Sequence, residues 1–352
     1  MKILGIETSC DETAASVVEN GEKLLSSVVA SSMDLHVQYG GVVPEIAARS
    51  HIEAIMPVTQ QALDDADCGW QDIDAIAVTQ GPGLGGSLLI GVMTARTLAI
   101  AKNKPLYAIN HVEAHVYANF LTGTSLPGYQ LRKKQPEFPM LAIIVSGGHS
   151  QLVLFHDHFD YVVLGQTQDD AIGEAFDKVA KMLGLPYPGG PSIAQAALKG
   201  DARAFTLPKA KMNKYDFSFS GLKTAVLRLA QAQIGESYDF PSTKLPERLS
   251  EAQKTNIAAS FQRVAIETIV GKAKLACDEF APRSVVIAGG VAASQELRRQ
   301  LSAALPLPIE YPDPKLCTDN AAMVATLGCF KAPRGQPAAD PYTLEIEPNL
   351  SM

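Results

Sequence analysis

The sequence predicts an α/β fold of two duplicated lobes facing each other across a central ligand cleft. A strand–turn–strand–turn–strand pattern opens the chain and returns after residue 140. In both halves, alternating helical and extended segments follow that triple. Glycine-rich turns then recur at the ends of apolar runs.

In the first half, the strand–turn–strand–turn–strand pattern predicts strands over 2–7, 13–18 and 23–30, with Glu19-Asn20-Gly21 as a hairpin turn tolerant of positive φ. Helices are expected over 44–66, 87–101 and 111–120, and strands over 75–78 and 106–109. In the second half, strands are expected over 140–145, 151–155 and 161–164. Helix–strand material follows at 173–183, 252–280, 284–288, 294–303 and 320–328. A duplicated βββ-αβα unit resembles the actin-like ATPase arrangement shared by actin, sugar kinases and Hsp70. Residues 1–121 read as an N-terminal lobe containing a histidine pair, and 122–139 as an inter-lobe loop rich in Gly, Pro, Gln and Lys. Residues 140–335 read as a C-terminal lobe with a helical insertion at about 200–245, and 336–352 as a tail.

At 352 residues the chain exceeds the usual size of one core. The N-terminus shows no signal-peptide pattern, and the most apolar run, 88–101, is too short and too polar to span a bilayer. Five cysteines without a CxxC pair fit a reducing, cytoplasmic compartment with no membrane association. The net charge of −7 argues against a broad nucleic-acid surface. Arg132-Lys133-Lys134 and the lysines 209, 211 and 214 remain as local basic patches or as solvated loops.

Asn110-His111-Val112-Glu113-Ala114-His115 follows an expected strand. Positions i and i+4 share a helix face, so both imidazoles can grip one metal ion or serve as structural histidines. The acid falls at Glu113, so the pair is not HExxH. Asp319, expected at a helix start in the second lobe, is either a third ligand or a helix cap. Two histidines and a carboxylate leave coordination positions open and suit Fe2+ or Zn2+ alike. Four glycine turns, at 79–86, 145–149, 188–191 and 288–294, suit phosphate binding, since glycine lets backbone N–H groups approach an anion. None has P-loop or GxGxxG spacing. Asp11 and Glu12 lie in the first hairpin turn, as cleft groups or as a polar tip. Around 169–178, Asp170, Glu174, Asp177 and Lys178 are expected along one helix flank, solvated or gripping a ligand.

Nine segments in one order carry a family resemblance. They are Ile6-Glu-Thr-Ser-Cys-Asp-Glu-Thr13, Tyr39-Gly-Gly-Val-Val-Pro-Glu45, Gly81-Pro-Gly-Leu84, Asn110-His-Val-Glu-Ala-His115, Val145-Ser-Gly-Gly-His149, Gly173-Glu-Ala-Phe-Asp-Lys178, Tyr187-Pro-Gly-Gly-Pro191, Asp216-Phe-Ser-Phe-Ser-Gly-Leu-Lys223 and Cys317-Thr-Asp-Asn320. They resemble the TsaD family of tRNA N6-adenosine threonylcarbamoyltransferases, formerly labelled glycoproteases. The resemblance implies the actin-like fold and a metal, Fe2+ before Zn2+, on His111, His115 and Asp319. It implies threonylcarbamoyl-AMP as donor, contacting Ile144, Val145, Ser146, Gly147, Gly148, Asp177 and Gly190, with Ser294 standing where many relatives have Asn. Ala194 stands where many have an acid, and the 122–139 loop looks long. Implied partners are tRNA through its anticodon loop, TsaB-like and TsaE-like proteins, and a TsaC-like synthase supplying the donor.

The implied reaction is attack by N6 of adenosine 37, in tRNAs reading ANN codons, on the activated carbonyl. Asp11 or Glu12 would be the base or amine-orienting group. Rival readings are a metallopeptidase, an actin-like ATPase or phosphotransferase, and a non-catalytic nucleotide-binding scaffold.

Overall fold

A computed structural model describes all 352 residues. The chain divides into two compact units, Met1–Pro136 with Tyr311–Met352, and Glu137–Glu310.

Unit 1 begins with β1 (Lys2–Glu7) and β2 (Glu12–Glu19), an antiparallel hairpin paired from Lys2–Glu19 to Glu7–Ala14. The third expected strand is split into β3 (Lys23–Leu24) and β4 (Val28–Ser31). Ser26 causes the break. Its hydroxyl accepts from Val17 N at 2.9 Å, while the N–H groups of Leu25 and Ser26 both donate to Val17 O. One residue of β2 thus faces two, which is a bulge. There follow α1 (Met33–His36), α2 (Pro44–Asp65), β5 (Ala75–Gly81), α3 (Gly85–Lys102), β6 (Leu106–Asn110), α4 (His111–Tyr117) and β7 (Gly123–Thr124). The sheet order is β6-β5-β1-β2-β3-β7, with β4 also on β2. β1, β5 and β6 run parallel. Ile6, Ile76, Val78, Val92 and Leu98 close one core between sheet and α3, and Leu4, Val17, Val58 and Leu63 another against α2. Each such side chain contributes roughly 1.5–3 kcal/mol by leaving water.

Unit 2 repeats the plan. β8 (Met140–Val145), β9 (Ser150–Asp157) and β10 (Asp160–Gln166) form an antiparallel meander. Next come α5 (Ile172–Leu183), α6 (Gly189–Ala197), α7 (Ser220–Gln233), α8 (Leu245–Arg248) and α9 (Glu251–Phe280). β11 (Ser284–Ala288), α10 (Gln295–Ala304) and β12 (Ile309–Glu310) complete it. The order β10-β9-β8-β11-β12 matches β3-β2-β1-β5-β6, with the same hairpin and the same parallel strands beside it. The duplication read from the sequence is therefore present in five strands of each sheet, with β4 and β7 added in unit 1. α9 starts at a capping box, where Ser250 and Gln253 satisfy each other's backbone N–H. The turn at 188–191 was expected after a strand; it instead follows α5 and opens α6.

The chain then returns to unit 1 with α11 (Ala321–Lys331). This corrects the boundary expected at residue 335. The reason is steric fit, since α11 lies against β1 and β5 at glycine positions. A Cβ on Gly5 would sit 2.3 Å from Ala321 O, and one on Gly328 2.8 Å from Ala77 Cβ. Much of the expected 122–139 linker also belongs to unit 1. β7 pairs with β3, Arg132 donates to Asn119 O, and Gln130 N donates to Asp313 Oδ2. The tail is strapped to unit 1 as well: Arg96 donates to the carbonyls of Pro341, Tyr342 and Leu344, and Asn110 Nδ2 to Ser351 O. No helix is long and apolar enough to cross a membrane.

Candidate metal centre and glycine turns

The histidine pair is placed by a cap. Asn110 ends β6, and its Oδ1 accepts from the N–H groups of Val112 and Glu113, which starts α4 at His111. Every residue of α4 is buried. At i and i+4 the two rings meet with centroids 4.7 Å apart and planes at 76°. Asp319 comes to them from just before α11. Its capping role, left open by the sequence, is taken by Asn320, whose Oδ1 accepts from Met323 N. Asp319 Oδ1 lies 3.2 Å from His115 Nε2 and 3.6 Å from His111 Nε2. One ligand atom from each of the three residues falls within 4.8 Å of the others.

All three belong to unit 1, so the carboxylate does not come from the second lobe as expected. The long return of the chain through α11 puts it there. Donors about 2.1 Å from a tetrahedral ion lie roughly 3.4 Å from one another, close to the 3.2 and 3.6 Å that separate the carboxylate from the two imidazoles. Both ring nitrogens of His115 are buried without a hydrogen bond, and Nε2 faces the Asp319 carboxylate at 3.2 Å. A buried imidazole edge set against a carboxylate is costly to leave without a shared proton or cation. The residues therefore fit a divalent cation.

Around this cluster lies a buried polar shell that the sequence did not reveal. Glu7, at the end of β1, is fully buried; its Oε1 accepts from Ser9 N at 2.5 Å and its Oε2 from Thr79 Oγ1 at 2.5 Å. Glu7 Oε2 lies 3.2 Å and Ser9 Oγ 3.1 Å from His111 Nδ1. Burial drives the Glu7 carboxyl up, but the imidazolium of His111 outweighs it and holds the group below the usual range. Burial likewise lowers His111, yet the Glu7 and Asp319 carboxylates carry it to about 9. The signals for Glu7 were an acid ending an apolar strand and its place in the segment Ile6–Thr13, neither of which assigned it a role.

The first hairpin turn sits nearby in unit 1. His51 Nε2 is 3.1 Å from Cys10 O, which can only accept, so His51 Nδ1 takes the hydroxyl hydrogen of Thr13 at 2.8 Å. Asp11 O accepts from both N and Oγ of Ser32. Glu12 Oε1 accepts from Ser31 Oγ at 2.9 Å, and its Oε2 is buried with no partner. Burial, helped by the charges of Asp11 and Asp319, lifts Glu12 to about 7 against the hydrogen bond from Ser31. The Cys10 thiol is pushed far up by burial and the carboxylates around it.

In unit 2 two glycine turns meet at the carboxyl ends of parallel β8 and β11, and a third packs on α5. Ser146 N donates to His149 O and Ser146 Oγ accepts from His149 N, which closes the first turn. Ser146 O accepts from Gly173 N at the start of α5. Gly289 has φ +88°, and a Cβ there would lie 2.5 Å from Val145 O, so only glycine lets these turns touch. Asp177 Oδ1 accepts from Gly189 N at 2.7 Å, which ties α5 to the start of α6. Gly147, Gly148, Gly190 and Gly290 face open space. Such exposed backbone suits an anion.

Other expected residues fall differently. Ile144 and Val145 are fully buried in β8, where Ile144 is paired with both β9 and β11, so neither offers a side chain to a ligand. Ser294 caps α10, accepting from Leu297 N. Asp170 binds Lys178 and Lys223, and Lys178 also pairs with Glu174, so this acidic flank is largely neutralised. Asp169, which the sequence did not single out, caps α7 through the N–H groups of Phe219 and Ser220.

Fold and site together describe a protein of the actin-like fold with a buried histidine pair and a carboxylate that fit a cation. Residues 23–326 match the family model "TsaD: tRNA N6-adenosine threonylcarbamoyltransferase". A protein of that name from Thermomicrobium roseum is 50% identical over 343 residues, covering 95% of this chain and 93% of its own. Another from Dehalococcoides mccartyi is 46% identical over 353 residues, covering 100% and 99%. The chain belongs to the TsaD family. Solved structures similar in fold include component A of the Acidaminococcus fermentans (R)-2-hydroxyglutaryl-CoA dehydratase. It has TM-score 0.50 and 15% identity, and the match covers 95% of this chain and 99% of that one. Full-length HypF in its phosphate- and nucleotide-bound form matches with TM-score 0.57 and 13% identity, covering 95% and 47%.

Proposed function

We infer that this chain, as a TsaD-family enzyme, is a tRNA N6-adenosine threonylcarbamoyltransferase. The match over residues 23–326, which contains the histidine pair, Asp319 and all four glycine turns, carries the conclusion. The donor proposed is threonylcarbamoyl-AMP, and the acceptor is N6 of adenosine 37 in tRNAs that read ANN codons. A C–N bond forms at the carbamoyl carbon, the bond from that carbon to the phosphate oxygen breaks, AMP leaves, and N6 gives up a proton.

The exposed backbone of Gly147 and Gly148 and the half-buried Gly190, where an added Cβ would meet open space, are proposed to hold the nucleotide, with Ser146 shaping the turn and Asp177 fixing α6. An exocyclic amine is a poor nucleophile, so positioning supplies much of the acceleration. Glu12, poised near neutrality with one free buried oxygen, is the proposed proton acceptor, worth about 10²–10⁴ in rate. Asp11 orients the same turn. His111, His115 and Asp319 would hold a divalent ion, Fe2+ or Zn2+, which when bound supplies a Lewis acid that polarises and orients the donor. An anticodon loop offers unstacked bases, so the target needs no duplex opening.

With a net charge of −7, tRNA is proposed to meet local basic loops such as Arg132–Lys134 or a partner. Ile52 and Met56 of α2 and Leu89 and Met93 of α3 are each about half exposed or more. A TsaB-like partner is the proposed cover of these side chains, with TsaE-like and TsaC-like proteins completing the pathway. The peptidase reading lacks an HExxH glutamate, and family membership does not favour it or the phosphotransferase.

The test is a transfer assay with supplied threonylcarbamoyl-AMP and tRNA. Adenosine should gain the modification, and His111→Ala with His115→Ala should abolish it. Full activity in that double variant shown to be metal-free would remove the metal role.

A further inference from the structure

We propose that Glu7 is the positioning residue of the metal centre: its carboxylate fixes hydrogen on Nδ1 of His111 and leaves Nε2 to ligate. Glu7 can act in this way only if His111, His115 and Asp319 hold a cation as inferred above, and it deepens that reading.

Glu7 is fully buried, so it touches no substrate. An ionised carboxylate is an acceptor only. Its Oε1 is engaged by Ser9 N–H, and its Oε2 by the Thr79 hydroxyl. The next atom against Oε2 is His111 Nδ1, at 3.2 Å. A lone pair on that nitrogen would face a carboxylate lone pair where no water can intervene. Nδ1 therefore carries hydrogen. Ser9 Oγ, 3.1 Å from the same nitrogen, can accept a share of it. The other nitrogen, Nε2, is the one 3.6 Å from Asp319 Oδ1. The order carboxylate, imidazole, ligating edge thus runs from Glu7 through His111 toward Asp319. A ligating histidine whose other N–H is held by a carboxylate is fixed in its plane and made more basic. Loss of that support typically costs 10–100-fold in metal affinity.

Glu7→Gln in the full chain keeps the volume but replaces one acceptor by an NH2 group. If NH2 faces Ser9 N–H, two donors collide. If it faces His111, Nδ1 must accept, hydrogen moves to Nε2 and the ligand lone pair is lost. Either way, competitive Zn2+ titration is expected to show a 10–100-fold weaker site. Thr79→Val removes one donor and leaves the carboxylate against His111; it should stay within about threefold of wild type.

The Zn2+-loaded wild type should show an Nδ1–H resonance for His111 in 15N-resolved NMR, with Nε2 shifted by the metal. Zinc on Nδ1 instead would overturn the proposal whether or not any variant folds. Wild-type affinity in Glu7→Gln would overturn it, and so would Thr79→Val losing as much as Glu7→Gln, since the loss would then follow damage to the buried cluster. A wild type that takes up no Zn2+ would bring down the metal reading beneath it.

Discussion

Gly5→Ala tests how a residue with no chemistry of its own holds the site. Gly5 lies in β1 beneath α11, and an added Cβ would stand 2.3 Å from Ala321 O, 2.7 Å from Ala325 N and 2.9 Å from Ala325 Cβ. Two of these atoms are helix backbone, so no side chain can rotate away. To reach ordinary contact α11 must retreat by about 1 Å, an overpacking that costs roughly 1–3 kcal/mol. For a unit of this size that lowers Tm by about 2–12 °C. Asp319 is two residues before Ala321, so the same movement carries its carboxylate away from His115 and His111. Scanning calorimetry with and without Zn2+ should show a lower Tm and a smaller metal-induced rise in Tm. Wild-type values for both would refute the packing of α11 on β1 and the coupling derived from it.

Glu12 is raised to about 7, so its active carboxylate form is lost as pH falls below neutrality. Transfer should rise with pH through about 7, and Glu12→Gln should lose about 10²–10⁴ in rate together with that dependence, read from kcat/KM profiles. Gly289→Ala places a side chain at φ +88° and 2.5 Å from Val145 O. It should weaken donor binding, seen as a higher KM, and lower the melting temperature. The Cys10 thiol is shifted far up, so it should resist iodoacetamide at pH 8 in the folded protein, and Cys10→Ala should keep its transfer activity.

Local signals reached far into this fold. The apolar runs of β1, β2, β8 and β9 and the i,i+4 spacing of His111 and His115 are short-range patterns, and the strands and the helix they predict are present. Long-range allegiance was not legible. α11 follows unit 2 in the chain yet packs at Gly5 and Gly328, which sequence order cannot announce. Ser26 broke an expected strand through hydrogen bonds to Val17, a partner defined only once the hairpin forms. Asp319 could be read as ligand or cap until the structure gave the capping task to its neighbour Asn320. Glu7 was hidden because a buried acid at a strand end looks like any strand end until Thr79 and His111 arrive from residues far along the chain.

Metal stoichiometry bears most directly on the central claim that His111, His115 and Asp319 form one cation site. Purified chain should bind one equivalent of Zn2+ or Fe2+ by elemental analysis after dialysis, and the Asp319→Ala and His115→Ala variants should bind none at that site. One equivalent retained in both variants would contradict the account.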